Sequence, residues 1–244
     1  MKMHPAALIG PPPQVDEWAT FLANAIAGVR AASEQMRARR AKHEKRIDWF
    51  RDKKSGIPRE NSVTRAIADE FKRLKARQGI SGTGVQPMDL RHISIECEVP
   101  RPYDPGISDK AKPTDIAFSL FKDGVLDLRI EAKTITSIAD LKTYIGSEGL
   151  LRFEDGSNPY TVAPFGGMVA YVVDEDADSW DRRIASRLKE ALGAERTYVT
   201  TIGTAIHQVS THNFVLTTDE GTAAYEVGVV HLAIEIDAVP SRRP

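Results

Sequence analysis

Asp115, Glu131 and Lys133 are the residues of this chain whose types and spacing can do chemistry. They lie in the stretch KPTDIAFSLFKDGVLDLRIEAK, residues 112–133. Apolar residues alternate on its first arm (Ile116, Phe118, Leu120) and on its second (Leu126, Leu128, Ile130, then Ala132). Period 2 predicts two strands, each with one buried face. Lys122-Asp123-Gly124 between them reads as a three-residue hairpin loop with glycine in the left-handed position. That loop pairs Phe121 with Val125, and therefore Leu120 with Leu126, Phe118 with Leu128 and Ile116 with Ile130. A two-residue loop would set Leu120 against Asp127, and a buried face selects against that slip.

The favoured register has a consequence on the other face, where Asp115 falls opposite Glu131. Directly opposed Cβ atoms sit roughly 4.5–5.5 Å apart, and like charges there repel. Two carboxylates so held need a cation or a shared proton. Lys133 follows Glu131 by two residues, so its stem leaves the same face. Carboxylate oxygens suit Mg²⁺, which takes one or two of them together with water and substrate phosphate. The competing reading is a solvated charge pair on an exposed strand.

An Asp, fifteen intervening residues and then Glu-Ala-Lys resembles the PD-(D/E)XK nuclease superfamily, whose fold is the restriction-endonuclease-like one. The resemblance implies that Asp115 and Glu131 bind Mg²⁺, with Mn²⁺ able to substitute. It implies that Ala132 lends its backbone carbonyl to the metal and that Lys133 orients or activates the attacking water. The family often carries proline immediately before the aspartate; here the order is Pro113-Thr114-Asp115. A helix ahead of the hairpin often supplies a further acid in that family, and Glu60 resembles it. An acid in a first helical turn also complements the helix dipole, so both readings of Glu60 stand.

The elements around the hairpin must position these residues. Helical spacing of Trp18, Phe21, Leu22, Ala25, Ile26 and Val29 predicts a long helix over 15–50. A second helix is predicted from Pro58, a residue suited to a first helical position, with Val63, Ile67, Phe71 and Leu74 as its apolar stripe. Residues 90–99 read as a strand. Ser137-Ile138-Ala139-Asp140 resembles a capping box that opens a helix, or a broken pair of helices, running to about Phe153. GGMVAYVVD, 166–174, reads as a central strand covered on both faces. A helix over 177–193 and strands near 197–202, 213–218 and 228–237 complete the order. The fold class predicted is α/β: a restriction-endonuclease-like mixed sheet with an αβββαβ core, flanked by helices. The expected division is an N-terminal helical extension, 1–54, and a nuclease-like domain, 55–244.

Net charge is −1 over 244 residues, yet residues 30–77 hold 16 Lys/Arg against 7 Asp/Glu. Such a segment is either a footprint for nucleic acid or a solvated basic helix. Arg37, Arg39, Arg40, Lys42, Lys45 and Arg46 are the phosphate-contact candidates there. Lys142, Tyr144 and Arg152 are the candidates after the hairpin, with Tyr144 equally readable as a core-edge aromatic. One cysteine, Cys97, leaves no internal disulfide framework and fits a reducing cytoplasm. No apolar run approaches the length of a membrane span. His207, His212 and His231 are scattered without metal-site spacing, and there is no Walker lysine loop. The resemblance implies phosphodiester hydrolysis, with DNA as substrate, in a restriction or antiviral-defence system, as a homodimer or beside a partner protein. A nuclease-fold module that only binds nucleic acid or protein is the alternative.

Overall fold

The computed structural model describes residues 15–46, 48–51, 56–80, 88–99, 113–121, 125–173, 176–218 and 221–237. The helices are α1 (Val15–Ala38), a single turn α2 (Arg40–His43), α3 (Glu60–Ile80), α4 (Leu141–Ile145) and α5 (Ala177–Leu192). The strands are β1 (Ile93–Val99), β2 (Thr114–Phe121), β3 (Val125–Ile135), β4 (Phe165–Val173), β5 (Thr197–Ile202), β6 (Ala205–Thr218) and β7 (Gly221–Ile236). They form one seven-stranded mixed sheet in the order β1-β2-β3-β4-β7-β6-β5. β3, β4 and β7 run parallel to one another at its centre, and antiparallel strands flank them on both sides.

Strand alternation sends side chains to two cores. Ile116, Phe118, Leu128, Ile130, Val169 and Leu232 face α1 and α3. Ile135, Met168, Ala170, Val172 and Val229 face α4, α5 and the 3-10 turn Leu150–Glu154. The centre is therefore three layers deep, and β4 is buried along its length, as a parallel strand covered on both faces should be. The pairing of β2 with β3 runs Ile116↔Ile130, Phe118↔Leu128, Leu120↔Leu126 and Phe121↔Val125, the register that the alternation demands. The loop Lys122-Asp123-Gly124 itself lies outside the described residues, as do 52–55, where the expected division of the chain falls.

Three predicted boundaries shift, each for a physical reason. The long first helix ends at Ala38, because His43 and Trp49 are both buried and stack on each other at 5.8 Å, which requires the chain to turn back. The second helix starts at Glu60 rather than at Pro58. Pro58 bridges Phe50, and the Arg59 N–H donates to the Trp49 carbonyl at 2.7 Å, so both residues stay extended. β6 and β7 are much longer than their apolar runs, since they pair continuously from Thr218↔Gly221 to Gln208↔His231. α1 also belongs to the core. Its Phe21, Ala25 and Val29 are at most 1% exposed, and Gly28 lets α3 approach: a Cβ there would lie 2.4 Å from Phe71. The segment set apart in sequence as an extension thus covers the sheet in space.

Candidate active site

At its N-terminal end β2 leaves β3 while staying with β1. Its pairing to β3 ends at Ile116↔Ile130, whereas Thr114 still pairs with Val99. Asp115 sits in the opening. Its carboxylate accepts the Ala132 N–H at 2.8 Å, replacing a ladder bond with a side-chain one. Asp115 and Glu131 share the sheet face turned to α4, and Lys133 joins them. Its ammonium donates to Glu131 Oε1 at 2.6 Å. Glu60 arrives from α3, in the opposite layer, and meets the same end of β3. It accepts the Thr134 N–H at 2.6 Å and lies 3.5 Å from Lys133 Nζ. Four side chains from two strands and one helix so converge beside a cleft of 720 Å³.

Electrostatics there are unbalanced. Burial, and next the Glu131 charge, push the Asp115 carboxyl up from 3.8 to about 8. Burial also raises Glu60. For Lys133 burial favours the neutral amine, but the Glu131 and Glu60 carboxylates outweigh it and hold the ammonium above its usual range. Lys133 is therefore a charged donor at neutral pH and not a base.

Among the described residues no group of three or more His, Cys, Asp or Glu side chains is gathered as a ready metal cage. The donors present still fit Mg²⁺, which uses one or two carboxylates and completes its shell with water and phosphate. Asp115 and Glu131 are two hard oxygen donors on one face, with burial and next the Glu131 charge pushing the Asp115 carboxyl up. Ala132 would contribute through its backbone, whose N–H and C=O leave toward the edge that β2 has vacated.

Tyr160, Arg51 and Arg59 line the same cleft and escaped the sequence reading. Tyr160 stands near enough to Glu131 to feel its charge, and it comes from a loop that has no periodicity to flag it. Arg51 and Arg59 are brought in by the short pairing of 49–51 with 57–59, where Arg59 Nε donates to the Phe50 carbonyl at 2.9 Å. Only the basic composition of residues 30–77 hinted at them.

The predicted phosphate contacts fall elsewhere, with one exception. Arg37 pairs with Glu235 at 3.0 Å and Asp237 at 3.4 Å. Arg39 pairs with Glu70 at 3.2 Å, Arg40 with Glu44 and Asp237, and Arg46 with Asp69. These four cations are matched by acids of the chain itself, which a charge count along sequence cannot see. Lys42, Lys45 and Lys142 are exposed. Tyr144 is 0% exposed and its hydroxyl is hydrogen-bonded to His231 Nδ1 at 3.0 Å, so it is a core residue and no phosphate contact falls to it. Arg152 does line the cleft.

No helix among the described residues is long and apolar enough to cross a membrane. Neither a protein-family model, nor a curated protein, nor a solved structure matches the chain.

Proposed function

We propose that this chain is a metal-dependent nuclease of restriction-endonuclease-like fold that hydrolyses phosphodiester bonds, with DNA as substrate. The observation that carries the reading is the convergence of Asp115, Glu131, Lys133 and Glu60 from β2, β3 and α3 at one cleft. The order α3, β1, β2, β3, α4, β4 supports the same fold. The role in restriction or antiviral defence, and a homodimer or partner protein there, rest on the family resemblance alone.

Asp115, Glu131 and the Ala132 carbonyl would hold Mg²⁺, which offsets phosphate charge and lowers the pKa of bound water. Lys133 holds a hydrogen-bond donor beside those acids and so orients the attacking water while opposing the negative charge that develops. Glu60 fixes the Lys133 ammonium from the far side and anchors β3 through the Thr134 N–H. Arg51 and Arg59 attract the polyanion to the cleft mouth.

A second reading has its own observation. The Lys133–Glu131 pair at 2.6 Å closes the acid cluster on itself, as it would in a module that only binds. Incubating the full chain with supercoiled, linear and single-stranded DNA in Mg²⁺ or Mn²⁺ separates the two. Cleavage that EDTA abolishes and that Lys133→Ala loses supports the nuclease. DNA binding without cleavage by the wild type, and no effect of Mg²⁺ on its melting temperature, supports the module.

A further inference from the structure

We propose that Arg152 anchors a subsite for a second phosphate group of the substrate, beside the one that reacts. Arg152 is 8% exposed, yet its Nε has no hydrogen-bond partner. Among the described residues its one hydrogen bond runs from Nη2 to the Asn158 carbonyl at 3.4 Å, the long end of the range. The nearest acid, Asp155, stands 3.9 Å from Nε, beyond hydrogen-bond reach. Asp155 is also committed to its own turn, where Oδ1 accepts from the N–H and hydroxyl of Ser157 and the N–H of Asn158. Arg129 is a useful contrast: also buried, it donates to Asp127 at 2.8 Å.

A guanidinium carries five N–H donors, and burying it without partners is costly. Arg152 accepts that cost at the wall of the cleft that holds Glu131 and Lys133. Its planar fork matches the paired oxygens of a phosphate. The Tyr160 ring lies 4.9 Å beneath the guanidinium, and burial and next the Glu131 charge push its hydroxyl up. One rigid side chain thus stacks on the cation and neighbours Glu131. Thr134, whose buried hydroxyl also has no partner, lines the same cleft. The ligand class is a phosphate oxyanion, either a terminal monoester or an internal diester.

The assignment rests on the nuclease reading of the cleft, but its test needs no catalysis. In EDTA, inorganic phosphate is titrated into the full chain by calorimetry and melting, with chloride at matched ionic strength as control. At ten times its dissociation constant, phosphate should raise the melting temperature by about 3–6 °C. Arg152→Gln should bind phosphate at least tenfold more weakly and melt no lower than wild type without phosphate. Arg152→Lys keeps charge without the fork, and should fall between the two. No phosphate-dependent shift in the wild type, or an equal shift in Arg152→Gln, overturns the proposal. If Arg152→Gln does not fold, an Arg152→Lys shift equal to that of the wild type overturns it instead. A 5′-phosphorylated tetranucleotide is then compared with its 5′-hydroxyl form. Preference for the phosphorylated form that Arg152→Gln erases assigns the terminal monoester; equal Arg152-dependent binding assigns the diester. Cleavage in Mg²⁺ is scored separately, so phosphate binding without cleavage keeps the subsite and fails the nuclease reading.

Discussion

Two buried polar networks stand on the same sheet face and are built oppositely. One is the cleft of Asp115, Glu131, Lys133 and Glu60. The other is a chain of five side chains further along the sheet: Tyr144 to His231 at 3.0 Å, His231 to Ser210 at 2.8 Å, Ser210 to His212 at 2.8 Å, and His212 to Glu154 at 2.8 Å. One assignment of hydrogens satisfies this second chain throughout. Tyr144 donates to His231 Nδ1, His231 Nε2 to Ser210, Ser210 to His212 Nε2, and His212 Nδ1 to Glu154, which Arg196 also pairs. Every donor meets an acceptor, and Ser210 and His212 are 0% exposed. The cleft is the reverse: two acids repel, and Arg152 and Thr134 hold buried atoms without partners. A complete network is architecture, and an incomplete one beside a cleft is prepared for a ligand.

The contrast breaks most visibly in activity. Asp115→Asn or Lys133→Ala should cut DNA cleavage by at least about 10²–10³-fold, the scale of losing one preorganised charge. Asp115→Asn should nevertheless melt no lower than wild type, because a neutral amide replaces a carboxyl that burial pushes up to about 8 and can still accept the Ala132 N–H. Loss of cleavage together with a lower melting temperature would mean that the cleft, too, is architecture.

Ser210→Ala should do the opposite. It strands a donor on His231 and an acceptor on His212, which costs roughly 2–4 kcal/mol in urea unfolding, with cleavage per folded molecule unchanged. A smaller effect comes from Glu60→Gln, which loosens Lys133 without removing it. Cleavage should fall about tenfold and the DNA concentration giving half-maximal rate should stay fixed.

The finest test is the dependence of stability on pH, where the two networks carry opposite signs. Asp115 titrates near 8 when folded and near 3.8 otherwise. Between those values the folded state holds more protons, so this group's contribution falls as pH rises. His231 is lowered by burial from 6.5 to about 3. Between those values the unfolded state holds more protons, so its contribution is complete above 6.5 and is lost as pH falls. Urea midpoints against pH should therefore lose their falling limb in Asp115→Asn and their rising limb in His231→Gln. Saturating Mg²⁺ should flatten the falling limb alone.

The hairpin was legible in sequence because a single buried face leaves one register; the direct opposition of Asp115 and Glu131 expected from it is lost, because β2 parts from β3 beyond Ile116↔Ile130 and Asp115 takes the Ala132 N–H instead. α3 was legible from its stripe, and the position of Glu60 followed from its first turn. The second network was not. His212 and His231 stand far apart in sequence, and only the continuous pairing of β6 with β7 brings both onto Ser210. Tyr160 and Arg152 come from segments with no repeat to read. The matching of Arg37, Arg39 and Arg46 to acids was invisible because those acids belong to α3 and the end of the sheet, which Arg40 also reaches at Asp237.

α1 is clasped to β7. Arg37 reaches Glu235 across 198 positions, and the Val29 face of α1 shares a core with Val230, Leu232 and Ile234. During synthesis α1 can meet α3 and β3 early, but its contacts with β7 wait until almost the whole of the sequence that separates them has followed. At about 5–20 residues per second that interval is roughly 10–40 s. Until then the part of its apolar face that β7 covers stays open, so the nascent chain still depends on chaperones after every residue of the cleft has been made.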